Sequence, residues 1–148
     1  KNNLNKLNLE SLSTIRVNNY KEILKDKNIN SVVISTPVAS HYKIAMDCLN
    51  AGKNIFVEKP LADSSMKCRK LIDIANKKSL SIFVDHTFLY TSAVNKMKEI
   101  SRKRNFGNLL YYDSTRINLG LVQNDINVIW DLAVHDLAIL NYIYTKIA

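Results

Sequence analysis

Three short apolar segments alternate with helical patterns between residues 31 and 84, and this alternation limits the possible folds more than any other feature. Residues 31–35, 54–57 and 81–84 have the length of strands, and the first is rich in β-branched residues, as in strands buried on both faces of a parallel sheet. The segments between them, residues 40–50 and 64–78, carry apolar residues at helical spacing. Short connections between such elements require right-handed βαβ units, so the sequence predicts an α/β fold with a parallel sheet.

The pattern changes after residue 84. Residues 91–103 favour an amphipathic helix, residues 108–118 alternate in the manner of a long strand, and residues 129–144 form a strongly patterned helix. Such a combination is typical of an α+β unit. We therefore place a boundary near residues 86–91, with a parallel α/β domain over 1–88 and the start of a second, α+β domain over 89–148.

The net charge of +8 invites comparison with nucleic-acid-binding proteins. The basic residues are scattered, however, and the cluster Arg102-Lys103-Arg104 is short and lacks interleaved aromatic residues. Solvated helix faces explain this distribution, so we expect no nucleic-acid partner, and a nucleic-acid-binding module is the least favoured alternative. No apolar stretch approaches the roughly 20 residues of a membrane helix, and residues 1–14 lack a signal-peptide pattern. We therefore expect a cytoplasmic protein without membrane contact.

Polar side chains follow each of the three predicted strands. In open parallel sheets, ligands bind outside the carboxyl ends of the strands, so these side chains are candidates for a binding site. Polar strand ends are common in proteins, but three in consecutive strands are more informative than one. The groups are Ser35-Thr36-Pro37, Glu58-Lys59-Pro60 and Asp85-His86.

Lys59 is the most informative residue of these groups. It lies between a carboxylate and a proline, and proline restricts both its own backbone and that of the preceding residue. An ammonium held in this way can donate a hydrogen bond to a substrate hydroxyl and stabilise an alkoxide as it forms. The alternative is a surface lysine paired with Glu58.

Asp131 and His135 form a second constellation. Residues four apart on a helix lie on the same face, so both side chains point in one direction. An imidazole, whose pKa is about 6.5, suits proton transfer at neutral pH, and a carboxylate beside it can orient it or hold a hydroxyl. The alternative is structural, because Asp131 favours the first turn of a helix and His135 can simply pair with it. The three histidines lack any zinc-ligand spacing, so we predict no metal.

Together these features resemble the glucose–fructose oxidoreductase/inositol dehydrogenase (Gfo/Idh/MocA) family. The resemblance extends over nearly the whole chain from about residue 18. A Glu-Lys-Pro element at the end of a strand that follows Ala-Gly-Lys is fairly specific for this family. Its combination with a downstream Asp-x-x-x-His is more specific than either motif alone. The matching stretches are residues 32–37 with His41, residues 51–61, residues 84–90, Gly107 before the predicted strand, and Asp131 with His135.

The resemblance implies a partial Rossmann dinucleotide-binding domain over residues 1–88 and a partial substrate and catalytic domain with an open sheet over residues 89–148. It implies NAD or NADP as cofactor, a sugar, nucleotide sugar or cyclitol as substrate, and a homo-oligomer. Lys59 would contact both nicotinamide ribose and substrate, and His135, beside Asp131, would take the proton of a hydroxyl whose carbon loses a hydride. We expect Arg116 to contact substrate, and the cofactor contacts to be Thr36, Pro37, His41, Glu58, Lys59 and His86.

The chain departs from the family in its glycines. The only three are Gly52, Gly107 and Gly120, so the glycine-rich turn that cradles a pyrophosphate cannot be built. We therefore expect an internal piece of an enzyme, inactive by itself and binding cofactor weakly or not at all. A catalytically silent, ligand-binding relative is the main alternative, although the retention of both constellations favours an enzyme. Trp130, and the lack of a glycine pair before Asp131, resemble members that act on nucleotide-linked sugars.

Overall fold

A parallel three-stranded sheet organises the first part of the molecule, whose computed structural model describes residues 15–117 and 126–144. The strands are β1 (Ser31–Ile34), β2 (Asn54–Glu58) and β3 (Ile82–Asp85). They lie side by side in chain order, and both neighbouring pairs are parallel. A consecutive order is that of one half of a doubly wound sheet, and the predicted α/β fold with its three strands is confirmed.

Three helices accompany the sheet, and the residues that begin them explain where they start. Helix α1 is Tyr20–Lys25, α2 is Val38–Asn50 and α3 is Ser65–Lys77. The side chain of Asn19 accepts a hydrogen bond from the first turn of α1, and Ser64 does the same for α3. Such caps satisfy backbone donors that a helix leaves unpaired, so both boundaries are encoded locally.

The hydrophobic core lies between the sheet and helices α2 and α3. Its members come from strand positions of one parity and from one stripe of each helix, as the two periodicities require. Leu71 is completely buried, so its truncation to alanine costs about 3 kcal/mol of folding free energy. The buried cluster consists of Ile34, Ala45, Cys48, Leu49, Ile55, Val57, Leu61, Leu71 and Ala75.

The two faces of the sheet differ, and this corrects the expectation that the first strand is buried on both. Val33 is 70% exposed on the face opposite the core. On the same face Phe56 and Phe83, which are register partners, stack with 5.0 Å between ring centroids and stay partly exposed. Covering both faces takes helices on both sides, and in the described part of the chain α2 and α3 lie on one side only.

A second group of helices follows the sheet. A 3₁₀ turn, Thr87–Tyr90, leads from β3 into α4 (Ser92–Ser101), and a π-helical turn, Ile129–Ala133, runs directly into α5 (Val134–Ile143). Helix α5 packs on α4 and on the 3₁₀ turn. Both helices match the predicted segments, except that the first turn of the second one is π rather than α.

The long strand predicted over residues 108–118 is wrong for its described part, residues 108–117, which adopts no strand; residue 118 lies outside the described residues. A strand needs a neighbour to satisfy its backbone hydrogen bonds, and no strand of the described chain pairs with this segment. Leu110 and Tyr111 are 90% and 82% exposed, so the apolar alternation is not buried either. The alternation of apolar residues predicted a strand, but within the described chain no neighbouring strand pairs with these residues.

Candidate active site

An ion pair between Lys59 and Asp131 is the centre of the site. The Lys59 Nζ donates to the Asp131 carboxylate Oδ1 at 2.7 Å and to the Asp131 backbone oxygen at 2.8 Å. The two residues are 72 positions apart, and each side chain is only about one fifth exposed. Lys59 therefore joins the end of β2 to the π-helical turn rather than pairing with Glu58, the structural alternative offered by the sequence.

The π-helical turn presents Asp131 because the chain before it is fixed. The Asn127 side-chain oxygen accepts hydrogen bonds from the backbone N–H of Ile129 at 3.1 Å and of Trp130 at 3.2 Å. The Asn127 carbonyl accepts from the N–H of Asp131 at 3.0 Å. One asparagine thus satisfies the first donors of the turn, and short π segments of this kind recur at functional sites.

Two cavities meet at this ion pair, and both are lined by Lys59 and Asp131. The strand-end cavity has a volume of about 420 Å³, and the His135 cavity has a volume of about 350 Å³. Besides Lys59 and Asp131, the residues that line the strand-end cavity are Thr36, Pro37, Val38, His41, Glu58 and Ile126. Those that line the His135 cavity are Phe88, Arg116, Ile117, Leu132 and His135.

His135 is enclosed in a way that keeps its imidazole neutral. The side chain is 7% exposed, and Phe88 meets its ring edge-on with 4.7 Å between centroids. Burial lowers its pKa below the usual value, and the positive charges of Lys59 and Arg116 lower the pKa further. A neutral imidazole at neutral pH can accept a proton, as a general base must. The buried Nδ1 has no hydrogen-bond partner within residues 15–117 and 126–144.

Arg116 is held on the other side of the same cavity. Its Nε and Nη2 donate to the Asp136 carboxylate at 3.1 and 2.9 Å, and its guanidinium carbon lies 4.5 Å from the centroid of the Phe88 ring. The Ser114 hydroxyl donates to the same carboxylate at 2.9 Å. Hydrogen bonding from Arg116 lowers the pKa of the Asp136 carboxyl, which stays ionised. The guanidinium is therefore fixed in position.

His41 occupies a structural position at the edge of the strand-end cavity. The side chain is fully buried, its Nδ1 lies 2.9 Å from the Pro60 carbonyl oxygen, and its Nε2 lies 2.7 Å from the Thr36 carbonyl oxygen. Both ring nitrogens already face protein acceptors, so a polar contact to a cofactor would break one of these contacts. His41 thus joins the loops that follow β1 and β2, and its predicted contact with cofactor stays a prediction.

His86 lies apart from the strand-end cavity, whose lining does not include it. Burial lowers its pKa, and it is close enough to His135 for the two charges to interact. Its predicted contact with cofactor stays a prediction. Its position relates it to His135 instead.

The structure gathers the predicted residues into two groups rather than one. Lys59, Asp131, His135 and Arg116 line the His135 cavity, while Thr36, Pro37 and Glu58 lie in the strand-end cavity. The sequence did not single out Phe88 or Asp136. Asp136 had a visible signal, since it is the residue next to His135, but its arginine partner is 20 positions away. Phe88 offered no signal beyond its place in a matching stretch.

Comparison with known proteins identifies the family. A family model described as "Oxidoreductase family, NAD-binding Rossmann fold" matches residues 2–86. The chain belongs to this family. The resemblance to Gfo/Idh/MocA proteins is thereby confirmed, and NAD or NADP is confirmed as the cofactor class of the family. No helix in the described residues is long and apolar enough to cross a bilayer.

Individual relatives agree with this assignment. Inositol 2-dehydrogenase of Salmonella paratyphi B is 25% identical over 133 residues, which cover 87% of this chain and 39% of that protein. An uncharacterized oxidoreductase of Schizosaccharomyces pombe is 32% identical over 93 residues, 63% of this chain and 25% of that protein. The crystal structure of GenD2 from gentamicin A biosynthesis, in complex with NAD, superposes with a TM-score of 0.74 at 21% identity, covering 93% of this chain and 42% of GenD2. The chain thus spans less than half the length of each relative.

Proposed function

We propose that the chain supplies the catalytic centre of an NAD- or NADP-dependent dehydrogenase that acts on a hydroxyl group of a sugar, a nucleotide-linked sugar or a cyclitol. The observation that supports this most strongly is the Lys59–Asp131 ion pair, which forms the common wall of two cavities. A hydride must pass directly between a cofactor and a substrate carbon. Two cavities that meet at a lysine offer such a junction.

The strand-end cavity suits the nicotinamide end of the cofactor, which supplies a hydride acceptor or donor when bound. It lies at the carboxyl ends of β1 and β2, where parallel sheets bind ligands. Thr36 and Glu58 offer a hydroxyl and a carboxylate to ribose or amide groups, and Pro37 precedes the uncapped start of α2. We assign Thr36, Pro37, Glu58 and Lys59 to cofactor binding, with His41 fixing the loops.

The described residues fit only one end of a dinucleotide. The chain has no pair of closely spaced glycines from which a pyrophosphate-binding turn is built. We therefore propose that the isolated 148-residue chain binds NAD⁺ at least 100-fold more weakly than the full-length protein. Isothermal titration calorimetry of both proteins tests this, and equal affinities would contradict it.

The His135 cavity suits the proton-transfer half of the reaction. During oxidation, the neutral imidazole of His135 would take the proton of the substrate hydroxyl, and the bound cofactor would supply the hydride acceptor for the carbon that carries this hydroxyl. Because Nδ1 is enclosed by protein, we assign the proton to Nε2. The Lys59 ammonium donates to the same substrate oxygen and stabilises its developing negative charge, and Asp131 balances and orients the lysine.

The division of the site between two cavities supports the proposal of two domains. Residues 1–88 would form the cofactor-binding part and residues 89–148 the start of the substrate-binding part, with the boundary inside the 3₁₀ turn Thr87–Tyr90. Lys59 comes from the first part, while Asp131, His135 and Arg116 come from the second. An active site assembled in this way needs both parts in contact.

A substrate panel tests the proposal directly. The full-length protein is incubated with NAD⁺ or NADP⁺ and with neutral sugars, sugar acids, nucleotide-linked sugars and cyclitols, and the absorbance of reduced nicotinamide is followed. We expect reduction with at least one class. Cofactor binding without reduction by any class would indicate a catalytically silent, ligand-binding relative.

A further inference from the structure

The fixed arginine of the His135 cavity has donors that the fold does not use. Arg116 spends its Nε and one Nη2 hydrogen on Asp136, on the side away from the cavity lining. A guanidinium has five N–H donors. The two on Nη1 have no hydrogen-bond partner in the part of the chain that the structure describes. Because Arg116 lines the cavity, these donors are available to a ligand inside it.

The charged groups around this cavity form two ion pairs. Lys59 and Asp131 lie 2.7 Å apart, and both line the cavity. Arg116 and Asp136 lie 2.9 Å apart, but only the arginine lines the cavity. A ligand in the cavity therefore meets the guanidinium of the second pair without meeting its carboxylate.

The guanidinium is also held rigidly before any ligand binds. Two hydrogen bonds to Asp136 fix its plane, and the Phe88 ring lies against it at 4.5 Å. A donor fixed in this way loses little conformational entropy on binding. Its planar fork matches the oxygen atoms of carboxylates and phosphates better than a lone hydroxyl.

We propose that Arg116 selects substrates that carry an oxyanion, a carboxylate or a phosphate, and binds that group beside the hydroxyl that His135 deprotonates. This inference rests on the proposed function and narrows its substrate class. Asp136 takes no part in contacting the ligand and holds the arginine in place. The competing explanation is that Arg116 and Asp136 only tie residues 112–117 to helix α5.

Affinities measured by calorimetry on the full-length protein, without cofactor, separate the two explanations. The probes are D-glucose, D-glucuronate and D-glucose 6-phosphate, which share a ring and differ in their acidic group. We expect glucuronate or glucose 6-phosphate to bind at least tenfold more tightly than glucose, and which of the two prefers the site identifies the oxyanion. Equal affinities for all three in the wild-type protein would overturn the proposal, and this comparison needs no variant.

A variant then assigns the selectivity to Arg116. Arg116→Met is expected to bring the ratio of the affinity for the acidic probe to the affinity for glucose down to about one. Arg102→Met, at an exposed arginine at the end of α4, is the matched control and should leave the preference intact. A preference that survives Arg116→Met would also overturn the proposal. Turnover of a neutral sugar without any oxyanion preference would leave the dehydrogenase assignment standing and remove this inference alone.

Discussion

The two cavities beside the Lys59–Asp131 ion pair are similar in size but differ in chemistry. Besides the ion pair, the strand-end cavity is lined mainly by the loops that follow β1 and β2, and its polar side chains are those of Thr36, His41 and Glu58. The His135 cavity is lined by residues from beyond β3, and it contains an imidazole, a guanidinium and an aromatic ring. The imidazole of His41 is held between two backbone carbonyls, whereas the Nδ1 of His135 has no partner in the described part of the chain.

Under the proposed function, one cavity binds the cofactor and the other transfers the proton. Substitutions confined to one cavity should affect either cofactor binding or proton transfer, and substitutions at the shared wall should affect both. Kinetics that separate turnover from cofactor affinity therefore test the division itself. All of these substitutions are made in the full-length protein.

His135→Gln should have the largest effect, and it should lower turnover without changing cofactor affinity. We expect turnover to fall about 1,000-fold, because general base catalysis contributes about 100- to 10,000-fold. The dissociation constant of the cofactor, measured by nicotinamide fluorescence, should stay within about twofold, since His135 does not line the strand-end cavity. Leu137→Ala, at an exposed position two residues along helix α5, is the control. Unchanged turnover in His135→Gln would exclude the proton-transfer role.

Lys59→Met should affect both sides. Removing a donor to a developing oxyanion reduces turnover by about 100-fold or more, and the partly buried Asp131 carboxylate then loses its ion-pair partner. Cofactor affinity should fall as well, because Lys59 also lines the strand-end cavity. Lys96→Met, which removes a lysine of an exposed ion pair, is the matched control. A loss of turnover with fully native cofactor affinity would assign Lys59 to the substrate side alone.

Thr36→Val should lower only the cofactor affinity, and its effect should be smaller than those of His135→Gln and Lys59→Met. The threonine hydroxyl is exposed at the cavity, and a hydrogen bond of this kind contributes about 1 kcal/mol, so cofactor affinity should fall about fivefold. Turnover at saturating cofactor should be unchanged. The same assay would contradict the prediction if turnover fell and cofactor affinity did not.

The pH dependence of turnover should show the smallest effect, and its midpoint should follow the pKa of His135. Burial, Lys59, Arg116 and His86 lower the pKa of His135, while Asp136 raises it. Because oxidation needs the neutral imidazole, turnover should rise with pH and reach half its plateau below about pH 6.5, the ordinary histidine value. Arg116→Met removes a positive neighbour, so the midpoint should move upward. A midpoint above 6.5 in the wild-type protein, or a downward shift in the variant, would contradict this.

Local sequence rules predicted the first part of the fold well because its elements depend on near neighbours. Ser64 caps α3, and the apolar run of β2 and the pattern of α2 each lie in one short window of sequence. The same rules were wrong for residues 108–117, because a strand needs a neighbouring strand and a short segment of sequence does not show whether one is present.

The sequence offers the candidate residues of the site but not their arrangement. It predicts that Asp131 and His135 point in one direction, and both do line one cavity. The partner of Asp131 is Lys59, 72 positions earlier, and the partner of Arg116 is Asp136. No periodicity links residues that far apart, so the division into two cavities became visible only in three dimensions.

The central claim is that Lys59 stands between cofactor and substrate. A crystal structure of the full-length protein with NAD⁺ and a bound sugar ligand tests it most directly. The account predicts the nicotinamide ring beside Thr36 and Pro37, the sugar beside His135, and the Lys59 Nζ within about 3 Å of a sugar hydroxyl. A nicotinamide ring in the His135 cavity, or a sugar that contacts neither Lys59 nor His135, would contradict it.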